Sequence, residues 1–325
     1  MPVNQRPFTI EQQVANLKSM GMQLNEEKTK ATLREIGYFR LKPFWWDMKD
    51  NATGRFLPNA SFDLACERYF FDKELRMILF SAIELIEISL RTKMVNHFSN
   101  AYANGLWYLD PNLFTDLNDH REQILSLKRE FNRSKDPIVV SFINDPAIDW
   151  RKRRLDGDNP DAWFIFEYAS FGTLSKIYDN IKHQNPQRSA VATDFGMFKS
   201  SDLSSWLQAI AVMRNFIAHH SRLWNRKFAT PPSTPKRLRD PWIGRVRPES
   251  LKNTPYFIIT TILYLCNAIQ PDNRLAQQLY RLFDSHPNID ITKYGFVGEW
   301  EKQPIWVAAQ SKCIWKDWVR KILKL

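Results

Sequence analysis

The stretch Met213-Arg214-Asn215-Phe216-Ile217-Ala218-His219-His220-Ser221-Arg222-Leu223-Trp224-Asn225-Arg226 closes a strongly apolar helical pattern and gathers charge at its end. Upstream of it Leu203, Trp206, Leu207, Ile210 and Met213 recur at helical spacing, with Ser201 or Asp202 placed to cap the start. Such a stripe faces a core. Arg214 follows Ile210 by four residues and Leu207 by seven, so it projects from the same side. A guanidinium cannot shed its charge there and is costly to bury unpaired, so the spacing demands an anionic partner, a carboxylate or a phosphate. Asn215 and His219, four apart, share another face. Arg214 and His219 are five apart, about 140° around an ideal helix. One straight helix splays the two. They act on one group only if the arginine reaches around, the helix distorts, or a second copy supplies part of the site.

Working outward, helical periods recur and alternating period-2 runs are scarce, which predicts an all-α protein. Thr9 caps a helix over Ile10 to Met20 that Gly21 ends, and Asn25 opens a second, which Gly37 stops after Ile36. Tyr38 to Trp46 is aromatic and interrupted by Pro43, so it reads as an extended strand or packed loop. Asp63 to about Phe98 is the longest helical pattern, with Leu75, Ile78, Leu79, Ala82, Ile83, Leu85, Ile86 and Leu90 as its buried face. Glu84, Glu87 and Arg91 fall on the opposite edge, where Glu87 and Arg91 form an i, i+4 pair. Further helices are expected at Asn118 to Arg133, Pro137 to Asp149, Trp163 to Ile181 with a break at Gly172, Tyr256 to Ala268 and Arg274 to His286. Asn185 to Ser200 reads as a polar connection. In the tail Trp300, Trp306, Trp315 and Trp318 are expected to pack a final basic helix onto the body.

The chain carries 46 basic against 35 acidic residues, a net charge of +11, which suits a polyanionic partner, nucleic acid first. Arg151-Lys152-Arg153-Arg154 is either a solvated basic face or an RNA contact. After Arg226, five prolines alternate with Lys236, Arg237, Arg239, Arg245 and Arg247. That irregular basic segment is a surface loop or a groove for single-stranded RNA, where phosphate attraction supplies affinity and Trp242 stacks on a base. Arg40, Lys42 and Trp45 are a second aromatic and basic group, read as RNA contacts or as docking onto the main body. Cys66, Cys266 and Cys313 lack metal spacing and suit a reducing compartment, the cytoplasm. No apolar run spans a membrane and no signal peptide is expected. With no Gly-rich phosphate loop, zinc motif or Gly-x-Ser-x-Gly elbow, a nucleotidase, protease or lipase is disfavoured, and no cofactor or metal is expected.

Arg214-Asn215-x3-His219 resembles the Arg-polar-x3-His motif of HEPN ribonucleases. The longer run to Arg226 resembles the Abi family of abortive-infection proteins, of the AbiD/AbiF type. Three further segments are similar to that family: Ile36 to Phe44, Phe71 to Arg76 running on to Glu84, Glu87 and Arg91, and Trp163 to Ser175. The resemblance covers about residues 7 to 270. Arg91 to His97 is not a second such motif, because its spacing is one residue too long and Asn96 stands in the expected place.

What this resemblance implies is a HEPN-like helical bundle over residues 61–270, preceded by a small helical and aromatic subdomain over 1–60 and followed by a helical, basic extension over 271–325. It implies a metal-independent endoribonuclease acting against phage. His219 is the general acid or base, Arg214 braces the scissile phosphate, and Asn215 orients His219 or holds the phosphate. Arg222, Arg226, Lys227, Arg237 and Arg239 extend the RNA-binding surface. His220, Glu84, Glu87 and Arg91 support it, one glutamate orienting Arg214 or His219 from a facing helix. HEPN sites usually form between two motifs, and this chain has one, so a homodimer is implied, with RNA, a regulatory RNA or a phage-derived trigger as further partners. A second reading is an RNA-binding sensor that uses the same basic groove without cutting.

Overall fold

The structure, a computed structural model, describes residues 7–145, 148, 159–244 and 251–309. The basic run at Arg151, the cations Arg245 and Arg247, Cys313, Trp315 and Trp318 lie outside the described residues. Among those described, the architecture is an all-α bundle. No strand forms, and β pairing is confined to isolated bridges such as Met197 to Leu238.

The frame is α4, Phe62–Tyr102, a helix of 41 residues and so about 60 Å long. Ser61 caps it, its hydroxyl accepting from the Leu64 N–H at 3.0 Å. Its interior holds no proline or glycine, and Phe71, Leu75, Leu79, Ala82, Ile83, Ile86, Leu90, Met94 and Phe98 are buried along it. Ile78 and Leu85 are only half-buried. Against α4 lie α3 (Tyr38–Trp45), α9 (Pro186–Asp194), α10 (Ser200–Ala218), α11 (Pro255–Ile269) and α12 (Leu275–Ser285). The centre is α11, buried continuously from Pro255 to Cys266. Beside it α10 packs on α8 (Phe171–Asn180), which rests on α5 (Leu117–Arg133), itself in contact with the short α6 (Pro137–Asn144).

Local rules account for most helix ends. Thr9 and Gln12 form a reciprocal capping box at the start of α1, Ile10–Ser19, and Gly21 with φ +98° leads away from its end. Asn25 caps α2, Glu26–Glu35, and the Asp116 carboxylate takes two amides at the head of α5.

Four local expectations are corrected. Tyr38–Trp45 is a helix, not a strand or loop. Pro43 lacks the N–H that would bond the Phe39 carbonyl, yet full burial of Leu41, Phe44 and Trp45 outweighs that missing bond. The break expected at Gly172 falls earlier: α7, Ala162–Ile165, ends in a 3-10 turn at Phe166–Tyr168, and Ser170 caps α8. Glu130 of α5 fixes that corner, accepting from the Ser170 N–H and hydroxyl at 2.9 Å each and from the Thr173 hydroxyl at 2.8 Å. The connection from Asn185 to Ser200 contains α9, whose Arg188 is fully buried and donates to Ser204 Oγ at 2.9 Å. Finally, α10 starts at Ser200, and neither Ser201 nor Asp202 caps it. Asp202 instead accepts from the Ser233 hydroxyl at 2.9 Å.

Candidate functional site

The end of α10 is built by its backbone. His219 is the last half-helical residue, and His220 stands at φ +55°, in the left-handed region. The His220 N–H donates to the Ile217 carbonyl at 2.9 Å and the Ser221 N–H to the Phe216 carbonyl at 2.8 Å. These are the two bonds of a Schellman closure, with histidine where glycine is usual. Both imidazoles are left exposed at the helix end, while Asn215 is exposed one turn earlier.

A buried acid holds the chain that follows. Asp72 of α4 accepts at Oδ1 from the Leu223 N–H at 2.9 Å, the Trp224 N–H at 2.8 Å and the Tyr294 hydroxyl at 3.2 Å. Its Oδ2 accepts from Arg76 Nε at 3.0 Å. Burial pushes the Asp72 carboxyl up, while the Arg76 charge and the two amides pull the other way. Trp224 is thereby seated in the core, with the Arg68 guanidinium 4.6 Å from its ring centre. Asp72 and Arg76 are placed four apart on α4, the one signal in the chain for their pairing.

Between this turn and α3 opens a cleft of about 380 Å³, lined by Phe39, Arg40, Pro43, Phe44, Tyr69, Asp72 and Arg76 from one side and by His219, His220, Ser221, Arg222 and Arg226 from the other. Arg40 is exposed and donates to the His220 carbonyl at 2.9 Å. Arg222 and Arg226 serve the turn itself as well as lining the cleft. Arg222 donates to the carbonyls of Trp224 and Asn225, and Arg226 donates to the Arg222 carbonyl at 2.6 Å and lies 4.1 Å from the Phe216 ring centre. Partial burial holds both guanidiniums below their usual range. Asn215 and Arg214 do not line this cleft.

Arg214 belongs to a second cluster, around α4. Its Nε lies 3.9 Å from Glu87 Oε2, beyond hydrogen-bond reach, and that Nε is buried without a hydrogen-bond partner. The anionic partner demanded by the spacing is thus a carboxylate, held loosely. Glu87 and Arg91 do not sit on an outer edge of α4. Arg91 is buried, donating to Glu87 Oε1 at 3.3 Å and to the Ala169 carbonyl at 3.1 Å, with Glu167 at 3.8 Å. Only Glu84 of the three is exposed. Burial pushes the Glu87 carboxyl up, Arg214 and Arg91 oppose that, and the charges of Glu84 and Glu130 reinforce it.

The proline-rich basic segment lies elsewhere. Lys236 and Arg237 line a separate cleft of about 620 Å³ with Asp240, Trp242 and Lys252, and no motif residue borders it. Arg237 sits 4.6 Å from the Phe198 ring centre and Arg239 Nε lies 3.2 Å from Asp240 Oδ2. Trp242 is buried against Trp206 and Phe257, with ring centres at 4.9 and 5.3 Å, so it is no stacking surface. Trp45 is likewise in the core. Lys227 is exposed just beyond the turn. Cys66 and Cys266 are buried free thiols, pushed up to about 11 and about 12 by that burial, which makes them poor nucleophiles.

Residues 31–225, from within α2 to the end of the Asp72-anchored turn, match the family model described as Abi-like protein. The chain belongs to the Abi-like protein family. The matched span takes in α3, α4 and α10, hence both sides of the His219 cleft and the Glu87 cluster. Membership of the Abi-like family suggests a role in abortive-infection phage defence. Searches of curated proteins and of solved structures give no match. No helix among the described residues is long and apolar enough to cross a membrane.

Proposed function

We propose that this Abi-like protein is an endoribonuclease that needs no metal ion and acts in phage defence by cutting RNA. The observation that carries the reading is the cleft itself, where the exposed His219 imidazole shares the lining with Arg40, Arg222 and Arg226, while Arg76 is buried and paired with Asp72. A phosphodiester drawn in by that charge meets an imidazole able to take the 2′-hydroxyl proton or to give one to the departing 5′-oxygen. The 2′-oxygen attacks phosphorus, the bond to the 5′-oxygen breaks, and a 2′,3′-cyclic phosphate is left. The ribose supplies the nucleophile, so none is required of the protein.

Arg214 and Asn215 enter this reading through a second copy. Within one chain Arg214 faces Glu87, apart from the His219 cleft. Its loose hold there leaves the guanidinium available for a phosphate presented across a dimer seam. Self-association is supported by an exposed apolar stripe on α4, where Phe70, Met77 and Ile88 fall within about 20° of one another. The same separation of Arg214 from the cleft also favours the second reading, a binding protein that holds a regulatory RNA without cutting it.

Purified protein incubated with total RNA in EDTA distinguishes the two. Cleavage with cyclic-phosphate ends by wild type, lost in His219→Ala and Arg214→Ala, supports the nuclease and its two residues. Binding by all three without cleavage, in the presence of phage lysate as trigger, supports the sensor. Light scattering on the same samples is expected to give the mass of a dimer.

A further inference from the structure

The aromatic segment Tyr38 to Trp46, read as RNA contacts or as docking onto the main body, is only partly buried. Leu41, Phe44 and Trp45 enter the core, whereas Phe39 is 81% exposed and Trp46, in the 3-10 turn that continues the helix, is 61% exposed. Phe39, Lys42 and Trp46 recur at i, i+3 and i+7, which places them on one outward face. The Lys42 ammonium lies 5.7 Å from the Phe39 ring centre and 5.3 Å from that of Trp46. Leaving two large rings in water gains the folded chain nothing, so the face is explained by something that covers it.

Three observations identify what covers it. Phe39 itself lines the His219 cleft, so the face is continuous with the candidate site. Arg40, next to it, is tied to the His220 carbonyl at 2.9 Å, which fixes the rings relative to the motif. The surroundings are cationic, with Arg40 and Lys42 on α3 and Arg226 across the cleft, and that charge attracts a polyanion and repels a second copy of the same face. Exposed rings interleaved with cations are the composition that binds unpaired bases, each ring offering a stacking surface and each cation a phosphate contact. A duplex hides its base faces and cannot use such rings.

We infer that Phe39 and Trp46 form a base-stacking platform that makes single-stranded RNA the substrate class of the cleft. This rests on the ribonuclease reading and adds which RNA is taken and where its unpaired bases lie. A strand stacked on Phe39 passes its backbone over Arg40 into the cleft, so the platform selects unpaired RNA before any bond is cut.

The test uses wild-type full-length protein and a short 2′-O-methyl oligonucleotide, which cannot be cleaved. The same strand is also offered as a duplex and as a strand of equal length lacking bases. Phe39→Ala and Trp46→Ala are each expected to weaken binding of the single strand roughly 10-fold. Binding of the baseless strand is expected to stay unchanged. Phe39→Leu, which keeps the apolar bulk but not the ring, is expected to fail like alanine, and Phe39→Trp to restore binding. Because both side chains are exposed, melting curves are expected to match wild type. The inference is overturned if the alanine variants bind the single strand normally, or if they lose the baseless strand equally. It is also overturned if the variants change only the mass of the protein in solution, which would make the face a contact between copies. Cleavage by wild type with binding unaffected in the variants defeats the platform alone. A wild type that neither binds nor cuts RNA defeats the ribonuclease reading with it.

Discussion

Arg40 donates from Nη1 to the carbonyl oxygen of His220 at 2.9 Å, joining residues 180 positions apart. The bond ties α3 to the end of α10 and leaves the rest of the guanidinium facing the cleft. It is solvent-exposed, so Arg40→Ala is expected to cost no more than about 1 kcal/mol in urea unfolding. RNA affinity is expected to fall more steeply. Loss of one phosphate contact is expected to reduce the slope of log affinity against log salt by about 0.7, the single-strand value. An unchanged slope in a salt titration would remove Arg40 from the RNA surface.

His220 tests whether the second histidine is chemical or architectural. Its left-handed backbone costs an L-residue about 1–2 kcal/mol that glycine does not incur. His220→Gly is therefore expected to melt at or above the wild-type temperature and His220→Val below it. Cleavage retained by His220→Gly would assign the residue to the closure of the helix.

Asp72 is expected to dominate the stability of the turn. Its carboxylate serves Leu223, Trp224, Tyr294 and Arg76 together, and Asp72→Ala strands a buried guanidinium and two amides. The expected loss is about 3–5 kcal/mol, a fall in melting temperature of roughly 5 °C for a chain of this length. Asp72→Asn, which keeps an acceptor for the amides, is expected to lose less.

Glu87 gives a pH signature. Its folded carboxyl is raised above the ordinary value of 4.5 by burial, so between the two values the folded state holds more protons than the unfolded. Stability contributed by this group therefore falls as pH rises through that window, and its penalty is fully present above it. Glu87→Gln has no such titration. The stability of wild type relative to Glu87→Gln is expected to decline from pH 4 towards neutrality, read from melting temperatures across that range. A difference independent of pH would contradict the raised carboxyl.

The long helices were legible from their apolar period, and the stripe of α10 runs unbroken into the motif, whereas their caps were not: Ser61 heads α4 and Asp116 heads α5 from just outside the expected spans, and neither Ser201 nor Asp202 caps α10. The aromatic run at Tyr38 was not, since Pro43 and adjacent rings carry the marks of a strand, and only packing against α4 makes it a helix. In the site, the 140° splay between Arg214 and His219 and the need for an anion beside Arg214 followed from spacing alone. Asp72 did not, because its main partners are backbone amides 151 and 152 residues away, which no side-chain pattern announces. Nor did the left-handed His220, where glycine would have signalled the turn. The basic segment misled for a related reason: charge in sequence says nothing of which cleft it lines.

The central claim, RNA cleavage through the 2′-hydroxyl with His219 moving the proton, is tested most directly with one labelled single-stranded RNA in EDTA. Wild type is expected to cut it to a 2′,3′-cyclic phosphate end, and His219→Ala to cut at least about 100-fold more slowly. The same strand with a single 2′-deoxy residue on the 5′ side of the mapped cut is expected to remain whole there. Cutting of the deoxy strand at that bond, or an undiminished rate in His219→Ala, would contradict the claim.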